Sequence, residues 1–435
     1  TWSGRRVHSP CCPMTVEQDE AAAEATATQA CNEKRSIARL EILAQEDPPL
    51  MGQDKWLGGM CSPCGRYIYG VPGTAQRVLQ VTVATGEVEL IGPKYVGKFK
   101  WLRGVEVPAS VMGEDRFPCG ACFALPSNAS SVLRIDPATQ EVTTIGGPFS
   151  GDWLWHGGNL ASDGNIYAIP CNAEQVLKIN VRTSEVSMIG PKFPGRQKWY
   201  GGILASNGCI YGIPQNSTGV LKIDPSTGEC SVLAEGTLTE GGWKWHGGTA
   251  GDDRHIIYGF PNNSDYVLKV DARTDTISLL GGPDVIQSGV HRIERKGFQD
   301  GKYKYLGGAI AADGNLCLFP CDSDKVLCVD TKTERVYTIE PELPGRMNKF
   351  QNGFRARDGC VYAIPQRSRS VIRIVPGPPA EEGGGDPFVE LLDMGDEMAA
   401  YKDKFEGGVM GQDGCIYCIP LIAKRVLKII PGPQV

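Results

Sequence analysis

Seven lysines recur along the chain, each followed by an aromatic residue: Lys55-Trp56, Lys100-Trp101, Lys198-Trp199, Lys244-Trp245, Lys304-Tyr305, Lys349-Phe350 and Lys404-Phe405. Ammonium groups gathered on one rim would form an electrostatic funnel for phosphate or carboxylate groups. The same pairs also have an architectural reading, in which each lysine caps a neighbouring turn and each aromatic packs between repeats, burying ~150–250 Å². Repulsion does not choose between the two, because lysines ~10 Å apart in water cost only about 0.4 kcal/mol per pair.

His156 and His246 stand at the position after the aromatic, with Tyr200 there in the unit between them. Imidazoles so placed suggest a metal site or an acid–base pair. The same position holds Leu57, Leu102, Leu306, Gln351 and Glu406 elsewhere, so the histidines read first as members of a repeat. Three CxxC pairs, Cys61/Cys64, Cys119/Cys122 and Cys415/Cys418, raise zinc. The last spans a strand, where residues three apart face opposite ways. The first two allow a shared four-cysteine site between adjacent units, against a plainer reading as unpaired structural thiols. No Ser-His-Asp set, phosphate-cradling glycine loop or dense carboxylate cluster is present. Asp163, Asp313, Asp358 and Asp413 each precede a turn glycine, where Asp belongs for turn reasons.

These residues must be positioned by a repeat, shown most cleanly by residues 198–233. Gly201-Gly202 leads into a short apolar segment, and Asn207-Gly208 turns the chain into Cys209-Ile210-Tyr211-Gly212-Ile213, which closes at Pro214. Val220-Leu221-Lys222-Ile223 alternates apolar and polar, Asp224-Pro225-Ser226-Thr227-Gly228 reverses the chain, and Cys230-Ser231-Val232-Leu233 completes four short strands. Such a unit cannot bury both its faces alone, so neighbours must cover them. Eight units start near 55, 100, 154, 198, 244, 304, 349 and 404, a period of roughly 45–60 residues. The double glycine is kept in six of them; unit two keeps only Gly104 and unit seven only Gly353.

The expected fold is therefore all-β, an eight-bladed β-propeller of four-stranded antiparallel blades spanning 36–435, behind a flexible tail over 1–35. The last unit ends one strand short, at Val426-Leu427-Lys428-Ile429-Ile430, and residues 36–44 resemble the missing strand; their pairing would close the ring. Closure removes the free edges that an open array leaves for aggregation. The loop leading into each first strand shares a face with the loop after each closing proline. Lys-aromatic pairs and post-proline amides such as Asn172, Asn216 and Asn262 are thus expected on one surface, with the insertion at 283–302, carrying His291, Arg292, Arg295 and Lys296, as a partial lid.

A net charge of −6 argues against generic binding to nucleic acid. No apolar run approaches the ~20 residues that span a membrane. Sixteen scattered cysteines in a chain large enough to build a core without staples favour reduced thiols and a cytoplasmic setting. Three Asn-x-Ser/Thr triplets, at Asn128, Asn216 and Asn262, read as turn chemistry.

The double glycines and aromatics resemble kelch repeats, and Val220–Glu229 resembles the third-strand turn of quinoprotein-like and YVTN-type propellers. That resemblance implies the fold and transfers no catalytic residue, since the adjacent cysteines Cys11-Cys12 lie outside the repeats. The functional expectation is a monomeric binding or scaffold protein that recognises a protein or an anionic ligand on the lysine face, its cofactor unspecified. The alternative is a propeller enzyme, a hydrolase, lyase or oxidoreductase, working at the channel mouth.

Overall fold

The computed structural model describes residues 38–43, 50–288, 303–345, 347–378 and 384–433. The expected tail over 1–35, and His291, Arg292, Arg295 and Lys296 of the expected lid, lie outside the described residues.

Eight four-stranded antiparallel sheets follow one another around a ring. Their first strands are Trp56–Cys61, Trp101–Val107, Trp155–Leu160, Trp199–Leu204, Trp245–Ala250, Tyr305–Ile310, Phe350–Arg355 and Phe405–Met410, in blades 1 to 8. The strand Arg39–Ile42 pairs antiparallel with Leu427–Ile430 and supplies the outer edge of blade 8, so the ring closes as the sequence implies. The insertion in blade 2 forms a short helix, Ala109–Met112.

Each blade is too thin to bury its own faces, and the apolar side chains accordingly collect between blades. One such layer sets Phe123, Leu125 and Val132 of blade 2 against Trp155, Ile166 and Leu177 of blade 3. The blade-starting aromatics sit at these joints. The indole N–H groups of Trp56, Trp101, Trp155, Trp199 and Trp245 donate to the carbonyls of Arg77, Ser131, Gln175, Gly219 and Tyr266, at 2.7–3.0 Å. A buried indole so paired contributes its full apolar area without an orphaned donor.

The turn aspartates hold the next hairpin. Asp163 accepts the Asn165 amide at 3.0 Å and the Tyr167 hydroxyl at 2.7 Å, and Asp358 does the same for Cys360 and Tyr362. Among the described residues no helix is long and apolar enough to cross a membrane.

Candidate functional site: the axial cavity

In every blade the pairing of the first two strands shifts register between the aromatic and the second glycine, as between Trp155 and Gly158. A bulge of this kind re-aims the side chains it contains. The second glycine is required sterically: a Cβ on Gly59 would lie 2.5 Å from the Tyr69 carbonyl oxygen, and one on Gly353 2.2 Å from that of Tyr362. In blades 1, 3, 4 and 5 the first glycine is required by conformation instead. Gly58, Gly157, Gly201 and Gly247 have φ of 73–77°, in the left-handed region. Arg103 and Asn352 replace it in blades 2 and 7 and keep that conformation, with φ of 58° and 60°.

Those two exceptions furnish the axis. Arg103 Nη2 donates to Asn352 Oδ1 at 3.4 Å. Beside them the residues after the aromatics converge: His156 stacks on Tyr200, ring centres 3.3 Å apart, and Tyr200 on His246 at 3.9 Å. With Glu406 these side chains line a cavity of about 750 Å³ walled by the double glycines. It extends toward the face where the first strands end, past Glu106, Ala250 and Ile310. There Arg355 makes a two-pronged ion pair with Asp252, at 2.9 and 2.8 Å, from blade 7 to blade 5. On the lysine side Leu57, Leu102 and Leu421 pack together with Phe99 and Ile422.

Burial and the Arg103 charge set the protonation of this group. His156 is 2% exposed and is held well below the ordinary histidine range, by burial first and then by Arg103. The same causes hold His246 at about 3, so both imidazoles are neutral at physiological pH. Burial pushes Glu406 up to about 7, against the pull of Arg103. Both ring nitrogens of His156, and Nδ1 of His246, have no hydrogen-bond partner. These nitrogens are themselves enclosed and are exceptions to the rule that buried polar atoms are satisfied.

No protein-family model and no curated protein matches the sequence. Solved structures match the fold across most of the chain. A streptogramin B lyase aligns with a TM-score of 0.52 at 11% identity, covering 91% of this chain and 98% of its own. A catalytically inactive virginiamycin B lyase from Staphylococcus aureus with quinupristin gives 0.53 at 12%, covering 90% and 99%. A hydrazine synthase from Kuenenia stuttgartiensis gives 0.52 at 12%, covering 89% and 98%. The chain has the β-propeller fold that these structures share. At these identities the likeness is one of fold.

Within this propeller the sequence-derived site residues separate into two groups. The lysines do not form an open positive ring. Lys55, Lys100, Lys198, Lys244, Lys304, Lys349 and Lys404 are at most 6% exposed. Lys198 Nζ donates to the carbonyls of Cys171, Ala173 and Gly195 at 2.9–3.1 Å, and Lys100 to those of Gly73, Ala75 and Gly97 at 2.6–3.1 Å. Lys55, Lys304 and Lys404 bind post-proline carbonyls in the same way, Lys244 binds those of Thr239 and Gly241 in its own entry loop, and Lys349 has no hydrogen-bond partner. The physical reason is that the post-proline loop of the preceding blade turns its carbonyls inward and needs buried donors. Burial pushes Lys55, Lys100, Lys198, Lys244 and Lys404 down to about 8.

The amides are joints as well. Asn172 Oδ1 accepts the Gln197 N–H at 2.8 Å, and Asn216 Oδ1 the Trp243 N–H at 3.0 Å, each from the following blade. In blade 5 that place is taken by Asn263, which accepts the Tyr303 N–H at 2.9 Å, rather than by Asn262. Asn262 stands one residue earlier and donates to the Trp243 carbonyl at 3.1 Å. By contrast, His156, Tyr200 and His246 do converge, because Tyr200 bridges the two histidines across the intervening blade. Arg103, Asn352 and Glu406 complete the site. The sequence signal for the first two was the broken double glycine in units two and seven.

Proposed function

We propose that this propeller binds a small anionic molecule, bearing a carboxylate or a phosphate, in the axial cavity. The observation that carries the reading is Arg103, a guanidinium held in the cavity whose bond to Asn352 is long, at 3.4 Å. A planar fork of five donors matches carboxylate and phosphate oxygens and leaves most of its capacity for them. The Asn352 amide and the Tyr200 hydroxyl, on residues that line the cavity, supply uncharged donors around it. The cavity, at about 750 Å³, falls in the range of small-molecule sites. Recognition is thereby assigned to the axis rather than to the lysine face, whose ammonium groups are used between blades. The thirteen described cysteines are all free thiols, which supports a reducing, cytoplasmic setting.

Glu406 favours a second reading, acid–base catalysis on the bound molecule. A carboxyl poised at about 7 can both give and take a proton near neutrality.

The test is calorimetric titration of the full chain with succinate, citrate and inorganic phosphate. Binding by wild type that is lost in Arg103→Gly and retained in Lys198→Met supports the axial site. Loss in Lys198→Met with retention in Arg103→Gly returns recognition to the lysine face. Chemical conversion of a bound compound, abolished by Glu406→Gln, would establish the catalytic reading.

A further inference from the structure

Two of the CxxC pairs come together away from the axis. Cys64, in the first hairpin of blade 1, and Cys119, in the corresponding hairpin of blade 2, are both half-buried free thiols. Arg66 bridges them: its Nε lies 3.4 Å from Cys64 Sγ and its Nη2 2.8 Å from Cys119 Sγ. One guanidinium thus holds a thiol from each of the two blades. Cys64 has in addition the Ser62 hydroxyl at 3.5 Å.

The backbone fixes this meeting. Cys61 N–H donates to Glu106 Oε1 of blade 2 at 2.9 Å. Gly120 has φ of 67°, and a Cβ there would meet the Val107 carbonyl oxygen at 2.3 Å and Pro63 Cγ at 2.9 Å. The loop carrying Cys119 is therefore pressed against the loop carrying Cys64. Among the described residues no group of three or more His, Cys, Asp or Glu side chains has the arrangement of a metal site.

We propose that Cys64 and Cys119 are a peroxide-oxidisable thiol pair that closes into a disulfide joining blades 1 and 2. The two members are not equivalent. Burial pushes the Cys64 thiol up, but Ser62, Arg66 and Cys119 outweigh it and the net direction is down. Burial and the neighbouring Cys64 push Cys119 up. Cys64 is thus the attacking sulfur and Cys119 the resolving one. The Cys64 thiolate attacks one peroxide oxygen: the S–O bond forms, the O–O bond breaks, and the departing hydroxide takes a proton to become water. The Cys119 sulfur, its proton leaving with the sulfenic hydroxyl as a second water, then displaces that hydroxyl and forms the S–S bond. Two thiols and one hydrogen peroxide give one disulfide and two waters. Cys61 and Cys122 lie deeper; burial pushes Cys61 up to about 11 and Cys122 well above the ordinary range, so neither competes.

The experiment treats the full chain with hydrogen peroxide, blocks free thiols under native conditions, and maps peptides without reduction. The expected result is a Cys64–Cys119 cross-linked peptide within one chain. Cys119→Ser should leave Cys64 as a sulfenic acid captured by dimedone, and Arg66→Gln should slow oxidation by about tenfold, the effect of one unit in thiol pKa. Thermal melting confirms that each variant is folded. Cys64 and Cys119 both recovered as free thiols, cross-links to Cys61 or Cys122 instead, or stoichiometric zinc that protects the pair would each overturn the proposal.

Discussion

Arg103 of blade 2 donates across the propeller axis to Asn352 of blade 7, and both residues hold the left-handed backbone conformation that glycine holds in most other blades. Asn tolerates this region, whereas for Arg it costs roughly 1 kcal/mol. Strain kept at the centre of a repeat, where six units have glycine, marks a position chosen for its side chain.

Arg103→Gly should therefore remove anion binding while leaving the fold at least as stable. The relieved strain is partly offset by the greater unfolded-state freedom of glycine, for a net change of about 0–1 kcal/mol in favour of the variant. Urea unfolding beside calorimetric titration checks both halves. A variant that is clearly destabilised would show that Arg103 is held by structural contacts.

Glu406 predicts a pH dependence. Its carboxyl is at about 7 in the folded chain and near its ordinary value, about 4.5, when unfolded. Between these values the folded state holds the extra proton, so the stability Glu406 contributes is complete below about 4.5 and is lost as pH rises through 7. Glu406→Gln should match wild type at pH 4.5 and exceed it at pH 8 by about 3 kcal/mol. Succinate affinity should weaken above pH 7 in wild type, as Glu406 becomes an anion in the same cavity, and stay flat in Glu406→Gln. His246, held at about 3, takes no part in that window.

Much of the architecture was legible because turns and strand alternation are local. The Asn207-Gly208 turn, the closing proline and the lone strand Arg39–Ile42 each carry their own signal. The site was legible only in part. Repetition drew attention to the lysines, yet a residue repeated in seven units is serving what the units share, which is the joint between blades. The axis is served by what differs: Arg103, Asn352 and Glu406 each break the pattern at a position where side chains converge. That convergence depends on the bulge at every first strand, which no periodicity announces. Counting from the proline does not show which of Asn262 and Asn263 reaches the next blade.

Lys198→Met keeps the apolar stem and removes the donor to three buried carbonyls. Burying the ammonium is costly, as its fall to about 8 shows, but carbonyls left without that donor cost more. The variant should lose about 1–3 kcal/mol in urea unfolding, with unchanged affinity at the axis. An affinity loss without a stability loss would mean that the lysine meets the ligand.

Ring closure gives the last prediction. Arg39–Ile42 covers the edge of Leu427–Ile430, and the next residue, Leu43, is 2% exposed among Val81, Ile419 and Val426. Leu43→Ala should cost about 2–3 kcal/mol through the cavity it leaves. Deleting residues 38–43 should do more than lower the melting temperature. It uncovers a row of unpaired N–H and C=O groups on blade 8, a template for another chain. Light scattering should then show concentration-dependent association that adding back a synthetic peptide of residues 36–44 suppresses. A deletion variant that stays monomeric with a wild-type melt would show that contacts between blades 8 and 1 close the ring without the strand.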